Sequence, residues 1–204
     1  MEKLVVALIG LIGVVIGSII TSIVNSQLKT KEARLRILEK VFDKRVVANE
    51  KILEVVKALR TVIPTGHKDS DSNIIAYPAA MESKERLIEF MDSLLSIVNQ
   101  NSHWLEIDLM RELYFTQDYL VTLSENISDF ESNKYPAIGT IVKLDFLDLS
   151  YFIEQKTIQF FEKDILKVNI KRTKKHHKYK RKITHERLNK TLLYTKWSEI
   201  ENIK

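Results

Sequence analysis

LVVALIGLIGVVIGSIITSIV, residues Leu4–Val24, has no charged side chain in 21 positions, and its only polar groups are small hydroxyls. Wound as a helix at about 1.5 Å per residue, it covers about 31 Å, close to the hydrocarbon thickness of a bilayer, with nearly every backbone donor paired internally. It therefore reads as one membrane-spanning helix that carries the rest of the chain as a separate domain. The competing reading is a cleavable signal peptide. Against it, the stretch before the apolar run offers only Glu2 and Lys3, the run exceeds the about 7–15 residues of a signal core, and no A-x-A-like cleavage site follows.

Orientation follows from the flanks, because Lys and Arg beside a span stay preferentially on the cytoplasmic side. Lys3 stands before the run, whereas Lys29, Lys31, Arg34, Arg36, Lys40, Lys44 and Arg45 follow it. The expectation is a single-pass protein of the inner (plasma) membrane with its C-terminal domain in the cytoplasm. Within the span, Gly10, Gly13 and Gly17 lie at i, i+3 and i+7, and Thr21 extends the same face. Small residues in this pattern let two backbones approach, so the face suggests a homodimer or higher homo-oligomer. The plainer explanation is that Gly is frequent in membrane helices.

The whole chain has 5 Gly and 3 Pro, and three of those Gly sit inside the span. So few breakers in the remainder favour long helices. Residues 28–204 suffice for one core of ordinary size and are too few for two. With no cysteine there is neither a disulfide framework nor a thiolate zinc site.

No Pro or Gly interrupts residues 28–63, and Leu35, Leu38, Phe42, Ile52, Val56, Leu59 and Ile63 recur at helical spacing. A strict two-stranded coiled coil would place Arg45 and Asn49 at successive seam positions, so packing in a bundle is the better reading. Pro64-Thr65-Gly66 ends the helix, and a polar loop follows. A second helix over 79–99 carries Leu87, Ile88, Met91, Leu94, Leu95 and Val98 on one side. A third, over 103–127 and capped by Asn101 or Ser102, carries Leu109, Leu113, Leu120, Leu123 and Ile127. A fourth, over 137–170, has an inner stripe of Ile141, Leu144, Tyr151, Ile158, Phe161, Ile165 and Val168. No strand stands out. The expected fold class is all-α: a transmembrane helix (1–27), an antiparallel bundle of about four helices (28–170), and a basic segment with a C-terminal amphipathic helix (171–204).

Catalytic constellations are lacking. The triplet His67-Lys68-Asp69 has neither the spacing nor the duplication of phospholipase-like chemistry. Asp145 and Asp148, with Glu106, Asp108 or Glu112, have the chemistry for a hard cation, but solvated acids on an outer face are the commoner outcome. His103 beside Trp104 suits a cap or an interface, and His176-His177 lies among cations that repel a metal ion. There is no Gly-rich phosphate loop, no G-x-S-x-G, no H-E-x-x-H, and no Glu-x-x-His pair of ferritin type. The expectation is a protein that is not an enzyme and holds no cofactor or metal.

The net charge of +5 conceals a split: residues 167–190 hold 11 Lys and Arg against Glu186 alone, so they carry +10 and the remainder carries −5. At its centre, Lys171, Arg172, Lys174, Lys175, Lys178, Lys180, Arg181 and Lys182 stand without an acid among them. If the four helices alternate in direction, the fourth returns to the membrane and delivers this run to the anionic inner leaflet, where each cation is worth about 1 kcal/mol. Beyond it, Leu188, Leu192, Leu193, Trp197 and Ile200 form an apolar side. Tyr194 and Trp197 suit a membrane interface, or the same residues dock as a fifth helix on the bundle. Anionic lipid or an acidic protein is the expected partner. Nucleic acid is the alternative, although Tyr179 alone interleaves the run as a stacking residue. In outline, an anchor followed by a basic helical domain resembles some membrane-anchored phage-resistance or phage-exclusion proteins of bacteria. That resemblance is architectural and carries over no residue.

Overall fold

The structure, a computed structural model, describes the backbone of residues 2–68, 74–163 and 179–203, and their side chains other than those of 2–12, 14, 15, 68, 162 and 163. It is mostly helical. The elements are α1 (Glu2–Arg60), β1 (Val62–Lys68), β2 (Ile74–Pro78), a 3-10 turn (Ala79–Met81), α2 (Lys84–Asn101), α3 (Ile107–Asn126), a second 3-10 turn (Ser132–Lys134), α4 (Tyr135–Lys163), α5 (Arg181–Leu188), α6 (Leu192–Thr195) and α7 (Trp197–Glu201). The chain divides into two compact units, residues 1–45 and 46–204.

The first unit is helix throughout its described residues, and among its described apolar side chains Ile16, Ile19, Ile20, Ile23, Val24 and Leu28 are exposed. Among the described residues no helix is long and apolar enough to cross a membrane. Most of the side chains of Leu4–Val24, those of residues 4–12, 14 and 15, lie outside the described set. Gly10 shares that position. Gly13 and Gly17 face open space, with nothing within 4 Å of a Cβ placed on either. Thr21 donates its hydroxyl to the Gly17 carbonyl at 2.7 Å, which ties its polar group to its own helix.

The second unit holds the core. From α1 it takes Ala48, Asn49, Ile52, Val55, Val56 and Leu59, all buried. Asn49 thus lies inside the bundle. At the end of α1, Arg60 reaches α4: Nε donates to Ser150 Oγ at 3.0 Å and Nη1 to Glu154 Oε1 at 2.9 Å.

After Arg60 the chain departs from the sequence expectation. Helix to residue 63, a loop and no strand were expected; instead β1 and β2 form an antiparallel hairpin pairing Val62 with Pro78, Ile63 with Tyr77, Pro64 with Ala76 and Lys68 with Ile74. The physical cause is local. Pro64 cannot occupy a helix interior, and β-branched Val62, Ile63, Thr65, Ile74 and Ile75 favour extended pairing. The ladder is irregular between Pro64 and Lys68, where Gly66 takes a φ of 79° that costs it no Cβ clash. β2 then lies on α4 at Gly139, where a Cβ would stand 2.8 Å from Met81 Cβ and 3.0 Å from Tyr77 Cβ. That glycine permits the approach.

Ser83 caps α2, its hydroxyl accepting from Arg86 N at 3.2 Å. Leu87, Leu94 and Val98 are buried as expected, but Ile88 and Leu95 face outward. α3 begins at Ile107 rather than 103, because α2 runs on to Asn101. Ser102 therefore closes α2, and Glu106 occupies the cap position of α3. Its expected stripe, Leu109, Leu113, Leu120, Leu123 and Ile127, is fully buried.

The inner face of α4 differs from the expected one. Ile138, Val142, Phe146, Leu149, Ile153 and Phe160 are buried, while Leu144, Tyr151 and Ile158 are 60%, 53% and 46% exposed. Ile141 and Phe161 are half-buried, and Ile165 and Val168 lie outside the described residues. Apolar residues cover most of this helix's circumference, so periodicity alone left its inward side undetermined. The C-terminal segment is also not one amphipathic helix but the three short ones, α5 to α7, separated by turns at Asn189–Lys190 and Lys196.

Candidate functional site

The C-terminal segment docks on the bundle by its apolar residues: Leu188, Leu193 and Ile200 are buried in the common core. Each such side chain contributes about 1.5–3 kcal/mol from water exclusion. Of the two dispositions open from sequence, packing on the bundle is the one found. Trp197 is half-buried against the core and donates its indole N–H to Glu201 at 2.7 Å, while Tyr194 is exposed.

Two carboxylates from the bundle hold this segment. Asp145, on the core face of α4, accepts from Leu192 N at 2.8 Å and, through its other oxygen, from Leu193 N and the Tyr119 hydroxyl, each at 3.0 Å. The first N–H groups of a helix have no internal partner, and Thr191 does not cap α6, since its hydroxyl donates to Leu188 O at 2.6 Å. Asp145 thus caps α6 from a distant part of the chain. Burial raises its carboxyl above the ordinary range, opposed by the two backbone donors and the phenol; burial and the adjoining carboxylate push the Tyr119 phenol well up.

Glu112, from α3, is the second anchor. It accepts from Arg187 Nη2 at 2.8 Å and from the Tyr179 hydroxyl. The Arg187 guanidinium lies 3.8 Å above the Phe115 ring, 4.9 Å from the Tyr179 ring and 5.4 Å from that of Phe152, an aromatic cage for a cation. Burial, then the bond to Glu112, pushes the Tyr179 phenol up to about 12.

These contacts correct the sequence reading of Glu112 and Asp145 as solvated acids. Both are buried and committed to hydrogen bonds with the C-terminal segment, while Asp148 is exposed. Among the described residues no group of three or more metal-ligating side chains assembles. A sign of their role is present in the sequence: Asp145 lies between Val142 and Phe146, and Glu112 beside Leu109 and Leu113, so each interrupts an apolar stripe and needs a partner.

Of the basic run, Lys171, Arg172, Lys174, Lys175 and Lys178 lie outside the described residues. Lys180, Arg181 and Lys182 are exposed at the start of α5, and Lys182 stands 3.9 Å from Glu186. Three cations at a helix N-terminus oppose the favoured arrangement, since that end carries the positive pole of the helix dipole.

Between the docked segment and the bundle lies a cavity of about 280 Å³ lined by Phe115, Asp145, Asp148, Leu149, Phe152, Arg187, Lys190 and Thr191. Set against known proteins, the chain matches no family model, no curated protein and no solved structure.

Proposed function

We propose that this protein is a single-pass, membrane-anchored helical module without enzymatic activity, which binds the inner leaflet or an acidic protein partner through its basic run. The observation carrying this reading is the order of the sequence: an uncharged run at Leu4–Val24, seven Lys and Arg between residues 29 and 45, and a second cationic cluster at residues 171–182. Such an order is the one expected of a helix in the bilayer with its C-terminal side in the cytoplasm and a second cluster that meets anionic lipid. Anchors confined to one membrane meet often, and the Gly10, Gly13, Gly17 and Thr21 face supplies a surface for self-association.

Nucleic acid is the rival ligand, and Tyr179 weighs against it. The one aromatic of the basic run has its hydroxyl on Glu112 and its ring beside Arg187, so it is not available for base stacking. The N-terminus of α5, with Lys180, Arg181 and Lys182 exposed around it, suits an anionic surface instead. The test uses residues 28–204 on vesicles with and without anionic lipid, and on single-stranded nucleic acid, across a salt series. Salt-sensitive binding to anionic vesicles that disappears when Lys174, Lys175, Lys178, Lys180, Arg181 and Lys182 are changed to Gln supports the reading. Binding that survives those changes, or that favours nucleic acid, overturns it.

A further inference from the structure

We propose that the cavity between α3, α4 and the docked C-terminal segment is a binding site for a free α-amino acid with a large apolar side chain. Its volume, about 280 Å³, lies just below the range of about 300–1,000 Å³ for drug-sized ligands, which suits a small metabolite rather than a peptide or an acyl chain. Leu149 and Phe152 provide the apolar surface, with Phe115 behind them, one face of its ring covered by the Arg187 guanidinium.

The charges select the ligand. Four ionisable side chains line the cavity, and two of them are already satisfied: Arg187 by Glu112, and Asp145 by Leu192 N, Leu193 N and Tyr119. The other two are the exposed Lys190, in the turn after α5, and Asp148, on α4; among the described residues neither forms an ion pair. One unmatched cation and one unmatched anion beside an apolar wall complement a molecule with a carboxylate, an ammonium and an apolar body. A purely anionic ligand would meet Asp148, and a purely cationic one Lys190, each a like-charge encounter that specific sites avoid. In the assigned pose the ligand carboxylate faces Lys190, its ammonium faces Asp148, and its side chain lies on Leu149 and Phe152.

The test is calorimetric titration of the full chain in detergent micelles with leucine and phenylalanine. Three further probes resemble leucine but each lack one feature: 4-methylpentanoate lacks the ammonium, isoamylamine lacks the carboxylate, and glycine lacks the apolar body. Saturable binding of leucine or phenylalanine is expected, with each of the three probes about tenfold or more weaker, as befits loss of a charge-assisted hydrogen bond or of the apolar contact. Lys190→Gln should erase the preference for leucine over isoamylamine, and Asp148→Asn the preference over 4-methylpentanoate. Both positions are exposed, so the fold tolerates either change. No saturation up to about 10 mM, where a site with a Kd of about 1 mM is nearly full, overturns the assignment. So does binding unaltered in the double variant, or phosphoethanolamine binding as tightly as leucine.

Discussion

Replacing Asp145 by alanine should weaken the docking of the C-terminal segment while leaving the rest of the bundle folded. Three donors lose their acceptor at once: Leu192 N, Leu193 N and the Tyr119 hydroxyl. Leu192 N is only partly buried and finds water, so two buried donors remain, at about 1–3 kcal/mol each. Removing a carboxyl whose burial is itself unfavourable returns part of this, and the net expected loss is about 2–4 kcal/mol. Asp145→Asn should cost less, because one acceptor oxygen persists while the amide meets donors on its other side. Tyr119→Phe should cost about 1 kcal/mol in the wild-type background and close to nothing beside Asp145→Ala, a coupling that only a direct interaction produces. Urea denaturation of the full chain, followed by circular dichroism, gives the energies; hydrogen exchange should show Leu192 to Ile200 losing protection before α2 does. A change within about 0.5 kcal/mol for Asp145→Ala, or strict additivity with Tyr119→Phe, would contradict the capping role. The pH dependence has a definite sign. A carboxyl whose folded pKa lies above its unfolded value of about 3.9 binds its proton more tightly in the native state. Its contribution is therefore complete below pH 4 and declines as pH rises through the elevated folded value. The wild type should lose stability relative to Asp145→Asn across that window.

Glu112→Ala leaves Arg187 and Tyr179 without their shared acceptor. Arg187 is about a quarter exposed, which moderates the penalty for an unpaired buried cation to about 2–3 kcal/mol. A following Arg187→Met should then be cheaper than in the wild type, as denaturation of the four proteins of that cycle will show. Gly139→Ala forces a Cβ to 2.8 Å from Met81 Cβ. The 3-10 turn at Met81 and β2 at Tyr77 must shift from α4, and a loss of about 1–3 kcal/mol is expected in thermal unfolding.

The parts of this fold that sequence revealed are those with a single clean period. In α3, Leu109, Leu113, Leu120 and Leu123 lie on one stripe between polar neighbours, and all are buried. In α4 the period is blurred: Leu144, Tyr151 and Ile158 repeat every seventh residue just as Val142, Leu149 and Phe146 alternate beside them, and the core took the second set. Only the tertiary partners, β2 at Gly139 and α6 at Asp145, distinguish the two faces. The hairpin escaped notice because its strands are short, and Pro64 and Gly66 within β1 read as punctuation. The candidate site was hidden for another reason. Glu112 pairs with residues 67 and 75 positions away, and Asp145 with residues 47 and 48 away. Sequence spacing left the two acids as solvated groups and the tail as basic and partly apolar, and did not show that the tail supplies what the acids need. The proposed anchor is the converse case: the argument for it lies in composition, in 21 uncharged residues, and rests on no tertiary contact.

The most direct measurement of the proposed anchor is fractionation of cells expressing the intact chain, followed by alkaline carbonate extraction and protease treatment of whole cells and of opened ones. If Leu4–Val24 spans the bilayer with the bundle inside, the protein stays in the membrane pellet through carbonate, and its C-terminal portion is cut only after the cells are opened. Recovery in the soluble fraction, or digestion of the C-terminal portion from outside intact cells, would contradict it.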